Sequence, residues 1–186
     1  MSKINMMSVN RSLPVFKVII DDHENLNKHL LDLVKEYRDK YPEKETHTNL
    51  RAWRSSYDTH INEDRFNFLI DQACELATVV SRSYFQQDEK LDEKYLPSAF
   101  WVAQFDEGNY ARNHHHYPND WAVTYYIDVD ENSAPIIFED ELTVQPENGL
   151  MVIWPGFLKH RVPHTTSSRT VAAMNLVKKL DIIEVD

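Results

Sequence analysis

Beyond Pro97 the chain breaks into short runs of β-branched and aromatic residues: AFWVAQF, WAVTYYIDV, APIIFE, LMVIW and RTVAAMNLV. Each run is closed off by a turn signal, and runs this short with this composition predict strands. Several strands at such spacing predict a β-sandwich or a barrel-like roll. The only three glycines, Gly108, Gly149 and Gly156, all lie in this half, and two of them come a few residues before a histidine.

The front half reads differently. LPVFKVIID is a short β-branched run that predicts one strand, and DDHENLNKHLLDLVKEYRDKYP follows it. Asp21 and Glu24 stand at capping-box spacing, Leu26, Leu30, Leu33, Val34 and Tyr37 recur at helical intervals, and Pro42 limits the helix. A second amphipathic helix is predicted over residues 62 to 86, burying Phe66, Leu69, Ile70, Ala73, Leu76, Ala77, Val80 and Tyr84. QQDEKLDEKYLPS then reads as a charged connector ended by proline. The expectation is an α+β fold, with helices packed on one sheet of a β-roll. A chain of 186 residues is most simply one domain, residues 1–186, long enough to bury about 70% of its unfolded surface. In that division residues 1–97 form a mainly helical support and residues 98–180 the core that carries the site.

The charge balance narrows the partners. Lys and Arg number 20 against 30 Asp and Glu, a formal net charge of −10, which repels phosphate backbones and argues against nucleic acid. Cys74 is the only cysteine, so no intrachain disulfide forms and a reducing compartment is expected. No stretch approaches eighteen apolar residues, and MSKINMMSVNRSLPVF lacks the apolar core of a signal peptide. A cytoplasmic chain with no membrane partner is expected.

NYARNHHHYPND places three histidines side by side. On an extended segment His114 and His116 point to one face and His115 points away. PENGLMVIWPGFLKHRV adds His160 after another strand and a Pro-Gly turn. A run of three histidines taken alone is more often a solvated loop than a built site. Their joint placement with His160, beside strands of one sheet, favours a site for a transition metal, which neutral imidazoles suit.

At this point the sequence resembles the iron(II)- and 2-oxoglutarate-dependent oxygenases, nearest to the prolyl-hydroxylase-like branch of bacteria and phages. The resemblance is carried by Phe105, Gly108 and His114 at that family's spacings, by AVTYYI, by NGLMVIWPGFLKHRV, and by Arg169 nine residues beyond His160. It spans roughly residues 100 to 177, and NLRAWRSSYDTH resembles the segment that precedes the core in one branch. The resemblance implies a double-stranded β-helix (jelly roll) with Fe(II) as metal, dioxygen as oxidant, 2-oxoglutarate as cosubstrate and ascorbate as an accessory reductant. It implies His114, His116 and His160 as metal ligands, Arg169 for the distal carboxylate of 2-oxoglutarate, and a supporting hydroxyl from Tyr126. The chain departs from the usual set of two histidines and one carboxylate, because His116 stands where the family's carboxylate falls. Asp120 is the alternative ligand, or a second-layer partner for an imidazole N–H.

The implied activity is hydroxylation of an unactivated C–H bond, with a peptidyl proline as the leading substrate. Two alternatives remain open at this point. GNYARNHHHYPND also meets the Gly-to-His-x-His spacing of cupins, three-histidine metalloproteins that do not use 2-oxoglutarate. The cupin pattern expects further glycines that are missing here, and it does not account for Arg169. A non-catalytic, metal-binding jelly roll is the other alternative. Trp101, Trp121 and Trp154 read as core aromatics able to line a cleft, Met151 and Met174 as core filler, and FEDE as a solvated strand end and turn or a selector for a cationic substrate. Cys74 reads as packed rather than reactive, and His164 as exposed. Oligomeric state leaves no mark in the sequence.

Overall fold

The computed structural model describes residues 12–43, 49–85 and 94–179. Eleven strands and three α-helices are named among these residues. β1 (Phe16–Ile19) leads into α1 (His23–Lys40), then β2 (Leu50–Arg51), β3 (Trp53–Arg54) and α2 (Thr59–Asn62). A 3₁₀ turn, Asp64–Phe66, precedes α3 (Asn67–Phe85). The rest is β: β4 (Tyr95–Phe105), β5 (Tyr110–His114), β6 (Trp121–Val129), β7 (Ile136–Phe138), β8 (Leu142–Val144), β9 (Leu150–Pro155), β10 (His160–Val162) and β11 (Arg169–Lys178).

The strands form two sheets, a major one in the order β1-β9-β6-β11-β4-β3 and a minor one in the order β2-β5-β10-β7-β8. All their pairings are antiparallel. This is the expected jelly roll, with the helices packed on one face of the major sheet. The period of two along its strands divides the core in two. On β6, Trp121, Val123, Tyr125 and Ile127 face the helices, while Ala122 and Tyr126 face the minor sheet. β9 sends Met151 and Ile153 one way and Leu150, Val152 and Trp154 the other. The helices complete the first core with Leu30, Leu33, Val34 and Tyr37 from α1 and Leu69, Ile70, Ala73, Ala77 and Val80 from α3.

The helix start differs from expectation. Asp22, in the left-handed region at φ 53°, is the N-cap of α1, and no side chain caps it, so Asp21 and Glu24 form no capping box. Asp22 instead accepts from Asn25 Nδ2 at 2.6 Å. The second expected helix, residues 62 to 86, starts late: α2 ends at Asn62, the 3₁₀ turn follows, and α3 runs uninterrupted from Asn67 to Phe85. Residues 86–93 of the expected connector lie outside the described residues, as does the start of the N-terminal segment. No described helix is long and apolar enough to cross a membrane.

Candidate metal centre

β5 and β10 are short and polar, YARNH and HRV, and their pairing sets the site. His160 lies opposite His114, and Val162 lies opposite Ala111. A step of two on β10 therefore faces a step of three on β5. The extra β5 residue is a bulge, and it turns Ala111 and His114 to the same face although an odd spacing would otherwise separate them.

His116 follows the end of β5 and is pinned between the sheets. Its N–H donates to the Gly156 carbonyl at 2.6 Å, its own carbonyl accepts from Asn119 Nδ2 at 2.6 Å, and its ring stacks on Trp101 of β4 at 6.0 Å. Gly156 is what lets the two segments meet, because a Cβ there would fall 2.0 Å from the Asn119 carbonyl oxygen. The bond that follows, Tyr117–Pro118, is cis.

His114, His116 and His160 converge, with one ring nitrogen from each lying within 4.8 Å of the others. The ring centroids are 4.3 Å apart for His114–His160 and 5.0 Å for His116–His160. A carbonyl can only accept, so His114 Nδ1 donates to Arg112 at 2.7 Å and His160 Nδ1 donates to Leu158 at 3.3 Å. A neutral imidazole carries one N–H, so both Nε2 atoms keep lone pairs for an ion. His116 Nε2 meets His160 Nε2 at 3.3 Å, where two lone pairs repel unless a proton or a cation sits between them.

Burial works in the same direction. Desolvation, with the neighbouring histidines adding to it, pushes His116 down to about 3 and His160 well below its ordinary range. Burial also lowers His114, against a hydrogen bond to the Arg112 carbonyl. All three rings are thus neutral near pH 7, the form that binds metal.

The histidines open on a cavity of about 180 Å³ that Tyr126 and Arg169 also line. Arg169 is 4% exposed and donates through one NH group to the Ala134 carbonyl at 2.6 Å. Its guanidinium lies over the Phe105 ring at 4.2 Å and 5.9 Å from the Tyr126 ring centre. Its Nε has no partner, and among the described residues no carboxylate pairs with it. Two further buried atoms without a partner, Trp154 Nε1 and Asn175 Oδ1, belong to residues lining the same cavity. Burial raises the Tyr126 phenol, and Arg169 opposes that rise.

Other residues named from the sequence sort clearly. His115 is exposed, with Nδ1 accepting from the Tyr117 N–H at 3.2 Å. Asp120 stands apart from the imidazole cluster, its carboxylate accepting from the Lys178 N–H at 2.7 Å. Trp101 and Trp154 line the cavity, whereas Trp121 belongs to the core under the helices. His164 is exposed, and burial raises the Cys74 thiol to about 12. Arg54, Tyr57 and Asn175 also line the cavity and were not singled out from the sequence. Arg54 is 4% exposed and stacks over Tyr57 at 3.8 Å. The only signal available for it was its place in NLRAWRSSYDTH.

The backbone can be compared with known structures. A prolyl-4-hydroxylase from Pseudomonas putida superposes with a TM-score of 0.66 at 14% identity, over 91% of this chain and 95% of that one. The fold is that of the prolyl hydroxylases. A viral collagen prolyl hydroxylase from Paramecium Bursaria Chlorella virus-1 superposes with a TM-score of 0.57 at 12% identity, over 95% of this chain and 98% of its own. Its 2OG complex superposes at 0.51. A prolyl hydroxylase from Trichoplax adhaerens, in complex with a hypoxia inducible factor oxygen degradation domain peptide fragment, gives 0.57 at 12% identity, over 87% of this chain and 83% of that one. No family model matches the sequence, and no curated protein matches it.

Proposed function

We propose that this protein is a non-haem iron oxygenase that takes 2-oxoglutarate as cosubstrate and hydroxylates an unactivated C–H bond. The observation that carries the reading is Arg169, a buried guanidinium with an unpartnered Nε and no carboxylate partner among the described residues, in the same cavity as three converging imidazoles. A buried cation without a counter-charge is costly, and a carboxylate entering the cavity removes that cost.

The residues fit the metal. Three neutral imidazoles whose ring nitrogens converge suit a divalent first-row ion. His114, His116 and His160 would hold it, with Arg112 and Leu158 fixing the tautomers of two of them. When bound, iron with dioxygen and 2-oxoglutarate supplies the oxidising power, while 2-oxoglutarate is decarboxylated to succinate. Arg169 holds the distal carboxylate of 2-oxoglutarate by charge-assisted hydrogen bonds, and Tyr126 donates its hydroxyl to the same group. Phe105, Val171 and Ala173 exclude water around that carboxylate and so strengthen the pair. Among the described residues no carboxylate belongs to the imidazole cluster, so a bound keto acid would supply the charge that balances the metal.

A peptidyl proline is the substrate we favour. Two things support it: the fold shared with prolyl hydroxylases, and the peptide carried by one of those structures. An all-imidazole set also suits a three-histidine oxygenase that binds its substrate on the metal without 2-oxoglutarate.

An anaerobic titration of the metal-free protein with Fe(II), followed by 2-oxoglutarate, separates these readings. A visible charge-transfer band that appears in the wild type and weakens in Arg169→Ala is expected. Iron binding with no band would replace this reading with the three-histidine one. Succinate release stimulated by proline-containing peptides, and not by the same peptides with alanine for proline, is the expected outcome for the substrate.

A further inference from the structure

FEDE, residues 138 to 141, has no part in the ligand set or the carboxylate site. In the structure it is the turn between β7 and β8, closed by the Glu141 N–H donating to the Phe138 carbonyl at 2.9 Å. Both central residues are left-handed, Glu139 at φ 47° and Asp140 at φ 59°. A turn with two such residues favours Asn-Gly, and glutamate is poorly suited to that conformation. Strain of this kind persists where surrounding contacts over-determine the backbone, and here the two side chains supply such contacts.

Those side chains reach the two residues that flank His160. Glu139 grips Lys159 twice: its carboxylate accepts from the Lys159 N–H at 2.9 Å, and its own N–H donates to the Lys159 carbonyl at 3.1 Å. Asp140 accepts from Arg161 Nε at 2.7 Å. Phe138 pairs with His160 across β7 and β10, their rings 5.9 Å apart. β10 has only three residues, so the turn fixes it from one side while β5 fixes it from the other. The Arg161–Asp140 pair is exposed on both sides, and such a pair stabilises a fold weakly. General stability therefore explains the Arg161–Asp140 pair poorly.

We infer that Glu139 and Asp140 are positioning residues for His160: the strained acidic turn clasps Lys159 and Arg161 and holds the imidazole between them at its meeting point with His114 and His116. The inference rests on the metal-site reading above.

The test uses the full chain, with Co(II) as a spectroscopic probe of the metal site. Glu139→Asn combined with Asp140→Gly installs the preferred turn and removes both side-chain contacts. This double variant is expected to melt at or above the wild-type temperature without metal, to bind Co(II) about tenfold more weakly, and to show displaced d–d bands. Glu139→Gln keeps the acceptor for the Lys159 N–H and is expected to bind within twofold of the wild type, unlike Glu139→Ala. Wild-type affinity and bands in the double variant would overturn the inference. Should the wild type bind no Co(II), the metal reading itself fails, and the clasp is then read by nitrogen-15 NMR of the His160 ring. Mixed tautomers in the double variant against a single Nδ1–H form in the wild type would sustain it, and identical spectra would overturn it.

Discussion

Each of the three candidate imidazoles is oriented by a different neighbour: the Arg112 carbonyl for His114, the Gly156 carbonyl acting through the backbone for His116, and the Leu158 carbonyl for His160. Under the metal reading, His114→Ala and His160→Ala lose iron binding, whereas His115→Ala keeps it nearly intact, as isothermal titration will read. Equal affinity in all three would sink the assignment. The same burial makes the metal-free protein sensitive to acid. The unfolded chain protonates these rings near 6.5 while folded His116 holds out to about 3, so between those values the unfolded state binds more protons and stability falls as pH falls. The urea midpoint of the metal-free protein is therefore expected to drop from pH 7.5 to pH 5, and to drop less in His116→Gln.

At the level of elements, the site depends on strand alternation and on one close approach. Tyr125 and Tyr126 are adjacent, so β6 must send them to opposite faces. Tyr125 donates to Asn27 of α1 at 2.6 Å, and Tyr126 lines the cavity. Tyr125→Phe leaves a buried Asn27 acceptor without its donor and is expected to cost about 1–3 kcal/mol with no change in 2-oxoglutarate affinity. Tyr126→Phe is expected to do the reverse, weakening 2-oxoglutarate about tenfold, the cost of one hydrogen bond to a charged group. Gly156→Ala drives a methyl into the Asn119 carbonyl and is expected to cost about 3 kcal/mol and to displace His116. Chemical denaturation and metal titration of that variant will read the two effects separately.

For the whole molecule, helices on one side stiffen the major sheet, and the minor sheet closes over its other face to make the cavity. A ligand that binds only the closed roll raises its stability by mass action, by about 2.7 kcal/mol at a hundred times the dissociation constant. With iron in place, 2-oxoglutarate at that excess is expected to raise the melting temperature by roughly 5–10 °C, and Arg169→Ala is expected to abolish the rise. An unchanged melting temperature in the wild type would remove 2-oxoglutarate from the account.

Much of this protein can be read from residue order alone, because periodicity and turn chemistry are local. The long strands β4, β6, β9 and β11, both long helices and the candidate residues His114, His116, His160, Arg169 and Tyr126 all stand out from their spacing or from family resemblance. The tertiary structure decided the rest. The bulge that aims His114, the short polar strands β5 and β10, the left-handed acidic turn and the placing of Arg54 and Asn175 in the cavity all depend on partners distant along the chain. YARNH and HRV are too short and polar to announce themselves, and they become strands because each finds backbone partners on both sides, β2 and β10 for the first and β5 and β7 for the second. Asp120 shows the limit of spacing: its position left it free to be a ligand, and only packing turned its carboxylate to the Lys178 amide instead.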